Sequence, residues 1–373
     1  VQSVNGPMST VIKGYQLPLT TNGVGAMRCV YLSQNASLIG FTLTGGATET
    51  NSTLGYGGGV ACRAPGAVVS NCVVVGNAAV YGGGIYSGPG IYSSATNYNC
   101  VFSNNVAQDS GGGGYAGTYN SCLFIGNAAA YGGAVSTYSS GQVALNNCTI
   151  FGNKALLRGG GIYGVSLSGR ADVKMNNCII VGNVSPSGAN YFQDSGLWIT
   201  NCCLSPMPVF GVGNFDLNPL FINPNAHDFR LQSTSPCINA GVANAQGNLD
   251  LDGNPRIVGG TVDIGAYEFQ SPSSVLSYAW AQRYGLPTNG SADFADPDAD
   301  GVNNYGEWRS DTVPTNALSV LRIVSAANTP AGANVTWQSV ATRSYWLERA
   351  TSLSLPTPFQ PVATNIAGVV GTK

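Results

Sequence analysis

One block recurs five times between residues 71 and 191, and it constrains what the chain can fold into more than any other feature. It reads NCVVVGNAAVYGGGIY at 71–86, NCVFSNNVAQDSGGGGY at 99–115, SCLFIGNAAAYGGAV at 121–135, NCTIFGNKALLRGGGIY at 147–163 and, in degraded form, NCIIVGNVSPSGANY at 177–191. Each copy runs Cys, three mostly apolar residues, Gly or Asn, Asn, and then a Gly-rich run. Cys72, Cys100, Cys122, Cys148, Cys178 and Cys202 are separated by 28, 22, 26, 30 and 24 residues. A period of this size is that of a solenoid, whose repeats bury apolar surface only against their neighbours. The apolar runs are short and β-branched and stop at Gly-Asn or Asn-Asn, a turn signal. No 3.6-residue apolar pattern of helical length occurs among them. Two or three short strands joined by Gly-rich turns fit each period, so the sequence predicts an all-β parallel β-helix with coils stacked about 4.8 Å apart.

In-register stacking assigns roles to the repeated residues. Asn77, Asn105, Asn127, Asn153 and Asn183 each follow the Cys by five residues, which predicts a ladder of side-chain amides. The glycines at 82–84, 111–114 and 159–161 mark a sharp corner. The Cys and the residue two beyond it (Val74, Phe102, Phe124, Ile150, Ile180) share the core face by strand alternation, which predicts a stack of buried thiols. Bridges between Cys29 and Cys62, or between Cys203 and Cys237, are further expectations. The flanking positions, Val73, Val101, Leu123, Thr149 and Ile179 with Val75, Ser103, Ile125, Phe151 and Val181, face outward and yet are mostly apolar. They predict a packing surface covered by another segment of the chain or by another molecule.

Composition excludes several functions. Charged residues are 9% of the chain, and the net charge of −2 offers nothing to nucleic acid or an anionic membrane. There is no apolar run of transmembrane length. Residues 1–200 hold only four acidic residues (Glu49, Asp109, Asp172, Asp194), and the sole histidine is His227. Glycoside hydrolysis asks for a carboxylate pair; the best polar cluster, Arg158, Arg170, Asp172 and Lys174, reads as solvated charges at coil corners, so catalytic residues are expected to be absent. Tyr81, Tyr86, Tyr92, Tyr115, Tyr131 and Tyr163 form either a sugar-binding platform or a cover over exposed backbone. The opening VQSVNGPMSTVIKG already reads as strand, turn and strand without a cap, and Lys373 ends as abruptly, which leads us to expect further residues on both sides.

Beyond about residue 205 the rhythm changes. Asp228 to Leu231, Ser235 to Gly241, Asp250 to Arg256 and Asp263 to Glu268 resemble the closing motifs of secreted bacterial β-helix proteins of the "choice-of-anchor Q" type. The repeats are similar to the Gly-Gly-Ala-Ile and Phe-x-x-Asn repeats of polymorphic outer-membrane adhesins. These resemblances span roughly residues 1–270 and imply a right-handed β-helix and an exported, extracellular bacterial surface protein, without implying a reaction. Asn239 stands where that pattern has Asp, which speaks against a cation at its turn. The charged residues of this segment are expected to pair or to cap the last open coil edge.

Residues 271–320 carry the strongest motif. Asp296, Asp298, Asp300, Gly301 and Glu307 match D-x-D-x-D-G-x5-E. Oxygens at positions 1, 3 and 5 converge on a cation, Gly301 permits the bend, Val302 offers a carbonyl, Asn304 acts at position 9 and Glu307 closes the loop bidentately. Hard oxygen ligands point to Ca²⁺, in an EF-hand-like linker that resembles dockerin and thrombospondin-type loops, with a helix over 274–286 before it. From Leu321, alternating strands predict a small fibronectin type III-like β-sandwich, too short to be complete. The expected organisation is coils at 1–205, a closing segment at 206–270, the calcium linker at 271–320 and the sandwich at 321–373. The expected function is structural: a surface adhesin, or a fibre subunit whose partner is itself, with cell-surface polysaccharide as a further partner. The alternative is a polysaccharide lyase, glycoside hydrolase or carbohydrate-binding module.

Overall fold

The repeats wind into a parallel β-helix. The structure, a computed structural model, describes residues 1–51, 54–88, 95–138, 141–165, 172–193, 197–243, 248–330, 332–350 and 359–372. It divides into two compact units, Val1–Pro272 and Ser273–Lys373. In the first unit each complete coil passes through four faces. In one coil these are Val68–Ser70, Val73–Val75, Ala78–Tyr81 and Ile85–Tyr86. Equivalent strands of successive coils pair in parallel, giving sheets of seven, eight, four and seven strands in that order. The register is unshifted on the second face, where Val73, Val101, Leu123, Thr149 and Ile179 stand in one row.

The corners explain the repeat. Between the first and second faces the residue before the Cys takes a left-handed conformation, with φ of 50–53° at Asn71, Asn99, Ser121, Asn147, Asn177 and Asn201. Asn is the non-glycine residue best suited to that region. The next corner has the same requirement, so Asn104 (φ 52°) replaces the glycine found at Gly76, Gly126, Gly152 and Gly182. At the third corner Gly82 has φ 64°, and a Cβ on Gly83 would lie 2.4 Å from the carbonyl oxygen of Val106 in the next coil. Backbone from adjacent coils therefore touches where any side chain would intrude.

The amide ladder runs the length of the repeats. Asn77, Asn105, Asn127 and Asn153 each donate Nδ2 to the Oδ1 of the next Asn at 2.9–3.0 Å. Their backbone amides reach the same acceptors at 2.9–3.0 Å. The second Nδ2 hydrogen goes back to a carbonyl of the preceding coil, as from Asn127 to Phe102 at 2.9 Å. The ladder begins at Gly46, whose amide donates to Asn77 Oδ1. It ends at Asn190, which accepts from Asn183 and donates to the Ser205 carbonyl. These buried polar groups are thus paired in both directions.

Inside, Cys72, Cys100, Cys122, Cys148, Cys178 and Cys202 stack at 0–1% exposure, each donating its thiol to the carbonyl two residues earlier at 3.1–3.3 Å. Phe102 and Phe124 stack beside them, ring centroids 4.8 Å apart. All ten cysteines are free, which corrects the expected bridges. The Cys29 thiol is engaged with the Thr44 carbonyl and the head of the ladder at Asn77, and the Cys203 thiol with the Leu217 carbonyl. Burial holds Cys62 up at about 12 and lifts Cys122 and Cys178 well above the ordinary thiol range.

Charged residues of the closing segment pair, Arg230 with Asp228 and Asp252, and only the start of the segment covers the last coil edge, where Val212, Asn214 and Phe215 bond to Asn201, Cys202 and Leu204. Phe215 pairs beside Cys203 and extends that coil, and the chain then turns back along the outside of the second face. Phe221 and Phe229 pack on Phe151, the Ala266 amide donates to Thr149 Oγ1 at 3.0 Å, and Asn99 Nδ2 reaches the Asp250 carbonyl at 2.7 Å. Leu123, Ile125, Thr149 and Ile179 are buried in consequence. The apolar stripe is therefore covered by the chain itself over these coils, while Val73, Val75 and Val101 stay half-buried.

In the second unit the sequence expects a helix over 274–286. The observed helix α1 is shorter, Tyr278–Arg283, because Ser277 caps its first turn through Trp280 N and the chain leaves it at Gly285, with φ 68°. Helix α2 spans Asn304–Ser310. Two small antiparallel sheets follow, one of three strands and one of two, with apolar side chains such as Ile323 (66% exposed) and Trp346 (61%) left open to solvent.

Two outcomes follow. Asn127→Ala strands about three buried polar groups and is expected to destabilise the first unit by about 3–6 kcal/mol in urea unfolding, whereas Asn104→Gly should change it by less than about 1 kcal/mol. With a thiol reagent, the native protein should titrate about one cysteine, Cys29, the only one of the ten not buried, and the unfolded chain all of them.

Candidate functional site

The densest set of unpaired polar atoms in the second unit lies between α1 and α2. The loop that begins at Asp296 bends at Ala299 (φ 59°) and Gly301 (φ 93°), and it enters α2 through Asn303, whose side chain caps the Gly306 amide at 2.9 Å. The bend turns three side chains to one point: carboxylate oxygens of Asp296, Asp298 and Asp300 all lie within 4.8 Å of one another. Two donors organise the loop, Gly301 N to Asp296 Oδ2 at 3.0 Å and Val302 N to Asp300 Oδ1 at 2.8 Å. Glu307, in the first turn of α2, is fully buried. Burial first, and then the facing Asp298, Asp300 and Asp296, push its carboxyl up to about 7.

Several oxygens have no protein partner. Both Asp298 oxygens, Asp300 Oδ2 and Glu307 Oε2 are buried and accept no hydrogen bond. A protein does not ordinarily bury acceptor oxygens beside like charges without compensation. This donor set, all hard oxygen, fits a cation such as Ca²⁺.

The six sequence-predicted ligands do not stand alike. Asp296, Asp298 and Asp300 converge, while Glu307 stands outside that cluster and feels it through charge. Val302 occupies the seventh position and gives its amide to Asp300. Asn304 is fully buried, its Nδ2 tied to the Ala292 carbonyl at 2.8 Å and its Oδ1 without a partner. Sequence reasoning missed the supports. Buried Asp293 clamps Ser274 Oγ at 2.6 Å and Val275 N at 2.9 Å, and its carbonyl accepts the Tyr305 amide. Arg343 donates to the Trp308 and Arg309 carbonyls at the end of α2. The only sequence signal for Asp293 was one more acidic residue just before the motif, and none existed for Arg343.

The first unit treats its other candidate groups as packing. Tyr86, Tyr115 and Tyr163 are 3–9% exposed and cover one another: Tyr86 stacks on Tyr115 at 5.2 Å, and Tyr131 leans on Tyr163 at 4.9 Å. Where the row holds the small Ala61, the Tyr56 ring fills the place over Tyr86 at 4.4 Å. Tyr92 lies outside the described residues. Of the proposed polar cluster, Arg158 rests over the Phe192 ring at 4.8 Å and Lys174 is exposed; Arg170 and the side chain of Asp172 lie outside the described residues.

This architecture agrees with the comparison to known proteins. Residues 30–207 match the family model described as a right handed beta helix region. No curated protein and no solved structure matches the chain. The first unit is a parallel β-helix. No helix among the described residues is long and apolar enough to cross a membrane.

The loop geometry yields an expected outcome for stability. Added Ca²⁺ should raise the melting temperature of the full chain's second unit, with a dissociation constant of about 10⁻⁴–10⁻³ M in calorimetry. Asp298→Asn or Glu307→Gln should weaken binding at least tenfold, and an unchanged titration in both variants would remove the site.

Proposed function

We propose that the protein is a non-catalytic structural protein of the bacterial cell exterior, a β-helical rod that serves as an adhesin or as a subunit of an extracellular fibre. The observation that carries this reading is where apolar surface remains. Along the rod's flank the tyrosines stack on one another, and the closing segment lies over the later coils of the stripe. On and beside the last coils, by contrast, Leu156, Val184, Trp198, Val209 and Phe210 are 59–89% exposed. Open coil edges invite a further strand layer, and a head-to-tail contact that does not close produces filaments.

The reading includes a calcium-stiffened linker of EF-hand-like type, held by Asp296, Asp298, Asp300 and Glu307 with Val302 and Asn304 at the remaining ligand positions. It takes the strands after Leu321 as part of a β-sandwich-like domain. The closing motifs and repeats support placement with secreted β-helix proteins of the "choice-of-anchor Q" type. Free thiols suit such a location only when shielded, and nine of the ten are buried. Polysaccharide at the cell surface is the proposed partner beside the protein itself.

Electron microscopy of the purified chain tests the proposal. Filaments with a regular axial repeat, shortened by Phe210→Asp and Trp198→Asp, are the expected result. Dispersed rods at all concentrations, together with release of oligosaccharides from pectic or sulfated polysaccharide, would replace it with the enzyme reading.

A further inference from the structure

The segment that returns along the second face is held by a compact set of buried charges. Asp250, Arg256 and Asp263 are 0–2% exposed and Glu268 is 6% exposed. Each carboxyl group staples a turn. Asp250 accepts the amides of Asn254 at 2.7 Å and Glu268 at 3.0 Å. Asp263 accepts those of Asn239 at 2.8 Å and Phe269 at 2.6 Å, and Glu268 Oε2 accepts that of Asp263 at 2.9 Å. Arg256 Nη2 donates to the Gly265 carbonyl at 2.8 Å. Arg256 Nε and Nη1 and Glu268 Oε1 have no protein partner.

One guanidinium faces the three carboxyl groups in a space nearly closed to water, without a direct ion pair to any of them. The other titratable groups facing the set are the Cys148 and Cys237 thiols and the Tyr267 phenol, with the exposed Arg230, Asp228 and Asp252 beyond the tyrosine. None adds a buried cation. Three buried negative charges against one positive charge are too costly to keep, and proton uptake relieves them. Both Asp263 oxygens accept amides, which favours its ionised form, whereas Glu268 Oε1 makes no full hydrogen bond and has only the Val258 amide near it, so a proton there displaces least. Burial pushes Asp263 up to about 7, and burial and then Asp263 push Glu268 further, to about 9.

We infer that Glu268 keeps its proton at neutral pH and acts as a latch, whose ionisation in alkaline solution frees the returning segment and uncovers Leu123, Ile125, Phe151 and Ile179. The sign follows from linkage. Glu268 has a raised folded-state value, so its contribution is complete below the ordinary carboxyl range and is lost as pH rises toward about 9.

Hydrogen exchange of the full chain tests this latch. Between about pH 6 and about pH 10, the protection factors of the Asn254, Asp263 and Phe269 amides should fall at least tenfold, while those of Asn105 and Asn127 hold. In E268Q the fall should vanish. A fall of the same size in E268Q, no fall in the wild-type chain, or a fall removed by D263N alone would each overturn the assignment. Should E268Q fail to fold, infrared spectroscopy of the wild-type chain decides. A protonated-carboxyl band at about pH 8, lost by about pH 10, supports the latch, and its absence at about pH 8 refutes it.

Discussion

Everything in the first unit depends on one constraint: a buried side-chain amide needs a partner at the same height in the next coil. An unpaired amide inside a protein costs about 1–3 kcal/mol per lost partner. Asn105, Asn127 and Asn153 escape that cost only if successive coils return to the same register, because each is simultaneously donor to one neighbour and acceptor from the other. The ladder tolerates a coil length that swings between 22 and 30 residues, since insertions are absorbed outside it. Its two ends are closed by different means, Gly46 supplying a backbone donor and Asn190 an amide. The final repeat has lost its Gly run and uses an asparagine where earlier coils have glycine or alanine, so its apparent degradation is the device that terminates the ladder.

Stacking creates the second requirement. A column of thiols and rings fills the interior, and the outward neighbours of those residues are apolar because the same short strands must also receive the returning segment. Phe151 is the clearest case: it points away from the core and yet is wedged against Phe221 and Phe229. The complete burial of the cysteine column has a chemical consequence too. Thiols closed to solvent are out of reach of oxidants and partner thiols, so a cysteine-rich coil can persist without bridges.

Much of this was legible in the sequence. The period, the strands, the asparagine ladder and the inward cysteines could be read from residues 71–191 because stacking repeats the same local demand at every coil. The asparagine before the cysteine (serine at Ser121) was visible as part of the motif, but its left-handed backbone was not inferred. The ladder's ends were hidden because Gly46 acts through its backbone and Asn190 lies off the repeat spacing. Of the two expectations for the charged residues of the closing segment, pairing is met at Arg230, but the path of residues 216–270 along the second face was not legible, since sequence periodicity says nothing about which face a non-repeating segment covers. In the second unit the acidic loop was readable from spacing alone, and the structure gathers three of its four carboxylates, Asp296, Asp298 and Asp300. Asp293 and Arg343 were not, because their roles depend on contacts between segments far apart in the chain. The short helix α1 shows a local cap, Ser277, overriding a longer helical pattern.

Taken together, the first unit is a stack whose coils are coupled through buried amides rather than a set of independent turns. Native-state hydrogen exchange under increasing denaturant tests that coupling most directly. The backbone and side-chain amides of Asn77, Asn105, Asn127, Asn153 and Asn183 should exchange with one shared opening free energy and one shared denaturant dependence, that of unfolding the whole stack. Separate openings, coil by coil and insensitive to denaturant, would contradict the ladder as the element that holds the solenoid in register.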